Sequence, residues 1–167
     1  NLKELERLQR MKSNPYFAAI DVVEEGYSQE ERFYVGAVGL KDDKTYDMYV
    51  CDWRAPISAL FYGFDVGKAW YEVDGRRIDV DMTRKRQIQI ADGKLVNIYD
   101  TDSSMHDAIL GSILSENTAN KLKVIVSSIQ KEQNTAIRKI DKRAVLIYGP
   151  AGSGKTSVGL HRLAYIL

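Results

Sequence analysis

Residues 149–156 read GPAGSGKT, and no other stretch constrains the fold of this chain so tightly. Gly149, Gly152 and Gly154 carry no side chain, so the backbone can enter left-handed conformations there and turn successive N–H groups toward one point. Before them stands AVLIY at 144–148, a short apolar run that reads as a buried parallel strand. After them, 155–167 reads as a helix whose N-terminal dipole faces the loop. Strand, glycine loop and helix, in that order, form the P-loop arrangement that holds the phosphates of a nucleoside triphosphate. The backbone of Gly149, Pro150, Ala151, Gly152, Ser153 and Gly154 would surround the phosphates. Lys155 would reach the β- and γ-phosphates, and the Thr156 hydroxyl would ligate Mg²⁺. Ser157, next on the helix, completes the candidate binding set, and Lys155 and Thr156 are also the candidate catalytic residues. A chance glycine-rich turn would lack the matching strand and helix on either side.

Composition narrows the partners. The 167 residues hold 24 Lys and Arg against 23 Asp and Glu, a formal net charge of +1, which gives no global argument for binding nucleic acid or a membrane surface. The single cysteine, Cys51, excludes an internal disulfide and a cysteine-based zinc cluster. No apolar run approaches the roughly 18 residues of a membrane span, and the start NLKELERLQRMK is too charged for a signal peptide. These features predict a cytoplasmic protein with no membrane partner. The chain starts at Asn1 and stops at Leu167, about one helix beyond the loop, so it reads as an excised N-terminal fragment. Turnover of a triphosphate also needs an acidic Mg²⁺ ligand, a group that orients water and an arginine on the γ-phosphate. The fragment alone is therefore expected to be inactive.

Three segments are expected, the fold passing from α+β into α/β. Over 1–14, Leu2, Leu5, Leu8 and Met11 recur every three residues, which predicts an amphipathic N-terminal helix or the end of a coiled-coil arm, closed by Asn14-Pro15. Over 15–100 the runs YFAAIDVVEE, RFYVGAVGL and YDMYVCDW are rich in β-branched and aromatic residues. Asp74-Gly75 and Asp92-Gly93 each separate two such runs and suit type I′ turns. The result is a small, mainly antiparallel β-domain of six or seven strands, interrupted at 55–64 where Pro56 opens a short helix. Over 101–167 helices follow. The first is capped by Asp102 or Ser103 and runs to about Glu116; the second starts near Ser127 or Ser128. Then comes the opening of a truncated ATPase domain.

The segment SIQKEQNTAIR lies about 20 residues before Lys155. An amide side chain can pair with the N6 amino group and N7 of adenine, where guanine presents two acceptors. Gln133 is the first candidate for that reader and Gln130 the second; without context, both would be solvent-exposed glutamines on a helix.

Other residues carry competing readings. Asp52, Trp53 and Arg54 form either a strand-end ion pair with a core tryptophan, the favoured reading, or a contact that docks the sheet on the ATPase core or a phosphate. Arg84, Lys85 and Arg86 form a basic run whose two arginines share a face by strand alternation; a solvated face is favoured over contacts with nucleic acid phosphates or an acidic partner surface. His161 has only His106 as a histidine partner, which disfavours a metal role, and Arg162 is read as a structural pairing residue.

At this point the residues resemble a known family. GPAGSGKTSVGLHRLAYIL looks like the first ATPase motif of superfamily 1 helicases of the UvrD, Rep and PcrA kind. IQKEQNTAI at 129–137 fits their LNxxQxxAV pattern, departing where Gln130 replaces Asn, and puts the adenine-reading role on Gln133. YVCDWRAPISALFY at 49–62, TRKRQIQIADGKL at 83–95 and IVSSIQKEQNTAIR at 125–138 are similar to the HelD branch, bacterial RNA-polymerase-associated relatives. The resemblance runs from about Tyr16 to Leu167. It implies an ATP-dependent motor with two RecA-like domains, with ATP and Mg²⁺ as cofactors and RNA polymerase as partner. It also implies action on polymerase–nucleic acid complexes, DNA or RNA being contacted by the full-length protein. A helicase translocating on single-stranded DNA and an unrelated P-loop kinase or GTPase are the rival readings.

Overall fold

In the computed structural model, which describes residues 9, 11–101, 129, 131–141 and 144–167, seven strands form one mixed sheet. They are β1 (Ala18–Glu24), β2 (Glu30–Gly36), β3 (Leu40–Lys41), β4 (Met48–Asp52), β5 (Gly67–Val73), β6 (Arg76–Ala91) and β7 (Lys94–Asp100). A 3-10 turn, Pro56–Ser58, runs into α1 (Ala59–Gly63); α2 (Lys131–Arg138) and α3 (Lys155–Ile166) follow. The spatial order is β3-β4-β2-β1-β6-β5, with β7 also paired to β6.

Both Asp-Gly pairs make the expected tight hairpins. Asp74 and Gly75 have φ of 50° and 74°, and Asp92 and Gly93 have 51° and 75°. Left-handed geometry at both central positions matches the twist of the flanking strands, so β5 returns directly into β6 and β6 into β7. The expected antiparallel pattern has one exception. β2 and β4 are parallel, because β4 returns between β2 and the short outer strand β3. Gly36 makes this close approach feasible: a Cβ there would lie 2.5 Å from the Pro15 carbonyl oxygen and 2.7 Å from Val50 Cγ1.

β1 is buried along most of its length because it carries apolar residues on both faces. Ile20 and Val22 face the main core with Phe17, Val35, Leu60, Phe61, Val80 and Met82. Ile137 of α2 and Val158 of α3 join that same core, which fixes the face on which the helices sit. Ala19 faces the other way, into a smaller cluster with Ile88 and Ile90. Pro56 opens the 3-10 turn as expected, since its fixed φ suits a first helical position and its missing N–H costs nothing there.

Residues 11–13 are helical and the chain leaves the helix at Asn14, as the Asn-Pro pair predicts. The segment 1–8, the helix expected from Asp102 or Ser103 to Glu116, and Ser127, Ser128 and Gln130 lie outside the described residues. The expected strand at 144–148 is corrected: these residues belong to no strand, and Leu146 and Tyr148 are 86% and 88% exposed. A buried parallel strand needs neighbours on its edges, and no described strand pairs with this run. No helix among the described residues is long and apolar enough to cross a membrane.

On the smaller-cluster face, Asp21 is 2% exposed. Its carboxylate accepts from Arg32 Nε at 2.6 Å and Nη2 at 2.7 Å, and from Arg84 Nη1 at 3.4 Å. Arg32's hydrogen bonds hold this carboxyl below its ordinary value against the opposing pull of burial. A folded-state value below the unfolded one means the stabilisation is present at neutral pH and is lost as pH falls through the folded value. Asp21→Asn should therefore lower stability at pH 7 by about 1–3 kcal/mol, with the difference from the parent shrinking below about pH 4. Thermal melts across pH check this; a difference that stays constant into acid would contradict it.

Candidate functional site

The site is built where α2, α3 and the turn after β4 meet. Asp52 closes β4 and accepts the Arg54 backbone N–H at 2.8 Å, which folds 52–55 into a tight turn. The same carboxylate takes the Arg54 guanidinium as a fork, Nε at 2.9 Å and Nη2 at 3.1 Å. Trp53 is thereby turned inward and is only 4% exposed. Its indole packs edge-on against His161 at 5.7 Å and near Tyr165 at 6.4 Å, both on α3. The ion pair and the core tryptophan are thus both present, and the tryptophan packs on the helix that follows the glycine loop.

In that loop Gly152 and Gly154 have φ of 81° and 79°, a left-handed backbone that side chains rarely adopt. A Cβ at Gly149 would lie 2.8 Å from Ser153 Oγ, so a side chain there would turn that hydroxyl aside. The Ser153 N–H closes a turn on the Pro150 carbonyl at 3.3 Å, carrying the chain through Ala151 and Gly152. Gly154 is the N-cap of α3 and offers no side-chain cap, so the first-turn N–H groups and the positive end of the helix dipole face the loop. Lys155 folds back across the loop and donates to the carbonyls of Gly149 at 3.0 Å and Pro150 at 2.7 Å. Thr156 and Ser157 stand exposed on the first turn. A cation, a helix N-terminus and two left-handed glycines thus lie together in one short segment of the chain, an arrangement suited to an anion.

Gln133 lies on α2, yet it reaches this loop. Its Nε2 is 3.0 Å from where a Cβ of Gly154 would stand. The structure therefore brings the glutamine and the glycine loop together. The glutamine is half-buried, on the helix whose Asn134 and Ile137 face the core.

The remaining sequence candidates fall elsewhere. Arg86 pairs with Asp100 at 2.7 Å, and Arg84 with Asp21, so both arginines of the basic run face carboxylates. Lys85 points the opposite way. It is buried, donates to the Phe64 carbonyl at 2.9 Å and lies 5.4 Å from the Phe61 ring. Burial pulls its ammonium below the ordinary value, with Asp65 opposing. His161 Nδ1 is 2.6 Å from the Ser157 carbonyl oxygen, so that nitrogen carries the proton. Arg162 donates to the carbonyls of Ala136 at 3.0 Å and Ile137 at 3.3 Å, tying α3 to the end of α2.

Sequence reasoning gave no role to Arg138. Its guanidinium donates to Asn134 Oδ1 at 2.8 Å and to the carbonyls of Trp53, Arg54 and Ala55. The rings of Tyr165 and Tyr62 lie 5.1 Å and 5.9 Å away. Burial lowers its pKa, with the two tyrosines and Asp52 opposing. The one signal in the sequence was its place in the last turn of a helix, where a cation meets free carbonyls.

With this geometry in hand, comparison with known proteins is specific for the first two-thirds of the chain. A family model described as the N-terminal domain of DNA helicase IV HelD matches residues 1–111. That match takes in the whole sheet and the 52–55 turn and ends before α2, the loop and α3. No curated protein matches the chain.

A methyl group on Gly154 would stand 3.0 Å from Gln133 Nε2 and would press that side chain aside by a few tenths of an ångström. Gly154→Ala should strain the left-handed backbone, displace Gln133 and lower stability by about 1 kcal/mol or more. Denaturant unfolding measures the cost, and a fully tolerated alanine would contradict the left-handed backbone at Gly154.

Proposed function

The chain belongs to the family of the N-terminal domain of DNA helicase IV HelD, and on that premise we propose that it forms the nucleotide-binding part of an ATP-dependent, superfamily 1 helicase-like motor. Loop 149–156 takes the triphosphate, with the N–H groups of Gly149, Ala151, Gly152, Ser153 and Gly154 toward its oxygens and Pro150, which has no N–H, shaping the turn. Lys155 leaves the carbonyls of Gly149 and Pro150 and pairs with the β- and γ-phosphates. Thr156 ligates Mg²⁺, and Ser157 lies beside it on the same turn. Gln133 reads adenine. The observation that carries this reading is the contact of Gln133 with Gly154: a base reader and a phosphate loop must be neighbours, and these two are.

In this proposal residues 15–100 are a β-domain, 1–14 lead into it, and 101–167 open a RecA-like ATPase domain. The motor acts in the cytoplasm on complexes of RNA polymerase with nucleic acid. The family's description as a DNA helicase favours a second reading, translocation on DNA.

Both readings are tested on the full-length protein. Lys155→Ala should weaken binding of Mg·ATP by at least about tenfold, the loss of charge-assisted hydrogen bonds. Gln133→Ala should remove a preference for ATP over GTP of about tenfold or more. Nucleotide affinity indifferent to both changes would refute the site. RNA polymerase that binds the protein and alters its ATP turnover supports the first reading; stimulation by DNA alone, without polymerase binding, supports the second.

A further inference from the structure

Three arginines close a ring around the three segments of the site. Arg54, in the turn after β4, donates to the Ala164 carbonyl in the last turn of α3 at 3.3 Å. Arg162, on α3, donates to Ala136 and Ile137 in the last turn of α2. Arg138, at the end of α2, donates back to the carbonyls of Trp53, Arg54 and Ala55 in the turn. Each segment therefore supplies a guanidinium to one neighbour and receives one from the other. Two of the three links end on helix C-termini, where carbonyls lack partners and the dipole is negative. Asp52 fixes the first arginine, and Trp53 fills the space inside the ring against His161 and Tyr165.

The ring lies at the opposite end of α2 and α3 from the glycine loop. Gln133 is on α2, Gly154 caps the start of α3, and Gln133 Nε2 lies 3.0 Å from where a Gly154 Cβ would stand. A change in how these helices are held at the ring end changes how far the glutamine reaches at the other. α2 spans only 8 residues, too short to hold its own place without packing. We propose that Arg138 is a positioning residue through which the 52–55 turn of the sheet sets Gln133 against the loop, making the sheet a determinant of base specificity. This rests on the nucleotide-site reading of Gln133 and the loop.

The proposal predicts a separation that general destabilisation would not produce. Arg138→Lys keeps the charge but cannot span three carbonyls, because an ammonium lacks the planar fork. In the full-length protein it should lower the ratio of ATP to GTP affinity by about tenfold, toward the value of Gln133→Ala. Affinity for Mg²⁺-tripolyphosphate, which engages only the loop, should change by less than about twofold. Adding Arg138→Lys to Gln133→Ala should leave the ratio where Gln133→Ala alone put it, the non-additivity expected of one residue acting through another. Arg54→Ala, on an exposed side chain, should shift the ratio in the same direction and serves if Arg138→Lys does not fold. An unchanged ratio in the folded variants, or additive effects in the double variant, overturns the positioning role while leaving the nucleotide reading intact. A Gln133→Ala variant with unaltered base preference removes the nucleotide reading, and this proposal with it.

Discussion

The Arg138 guanidinium is the contact on which the geometry of the site depends. It is a cation drawn partly out of water, and burial alone would make that costly. What offsets the cost is hydrogen bonding to the carbonyls of Trp53, Arg54 and Ala55, together with the faces of Tyr62 and Tyr165. An arginine suits this place because it stays charged at any ordinary pH and presents several donors in one plane. Remove it and the short helix α2 keeps its Ile137 packing and the Arg162 links to Ala136 and Ile137, but loses its tie to the 52–55 turn. The position of Gln133 at the loop would go with it.

Beneath this junction the sheet supplies a stiff floor. β6 runs for 16 residues and pairs along its length with β1 on one edge and with β5 and β7 on the other. A register shift opposite Asp21 and Val22 changes which residues of β6 face the helices. Val80 and Met82 face the main core before it, and Lys85 turns to that side after it. Lys85 then tethers the end of α1 by donating to the Phe64 carbonyl, while the Ser58 hydroxyl donates to the Asp52 carbonyl at 2.7 Å. The turn that carries Trp53 and Arg54 is therefore held from below as well as from the side.

Local signals in the sequence foretold local structure. Asp-Gly pairs gave the two hairpins, Asn-Pro ended the first helix and Pro56 opened the 3-10 turn, because each depends on the φ and ψ of one or two residues. The glycine loop and the helix after it were legible for the same reason. The apolar run 144–148 misled because burial depends on neighbours, and apolar content alone does not supply a strand partner. Lys85 was hidden by the register shift, which no composition rule places, so a basic triplet read as a surface feature contains one buried member. Arg162 pairs structurally, as read, but its partners, like those of Arg138, are backbone carbonyls far away in the chain, and a carbonyl leaves no mark on the sequence.

In the proposed site, Gln133 and loop 149–156 are two halves of one nucleotide-binding unit, held together from the sheet. A structure of the full-length protein with Mg²⁺ and a non-hydrolysable ATP analogue tests this most directly. Phosphates should lie within the loop against Lys155, with Mg²⁺ on Thr156 and the adenine edge paired with the Gln133 amide. Phosphates bound elsewhere, or an adenine turned away from α2, would contradict it.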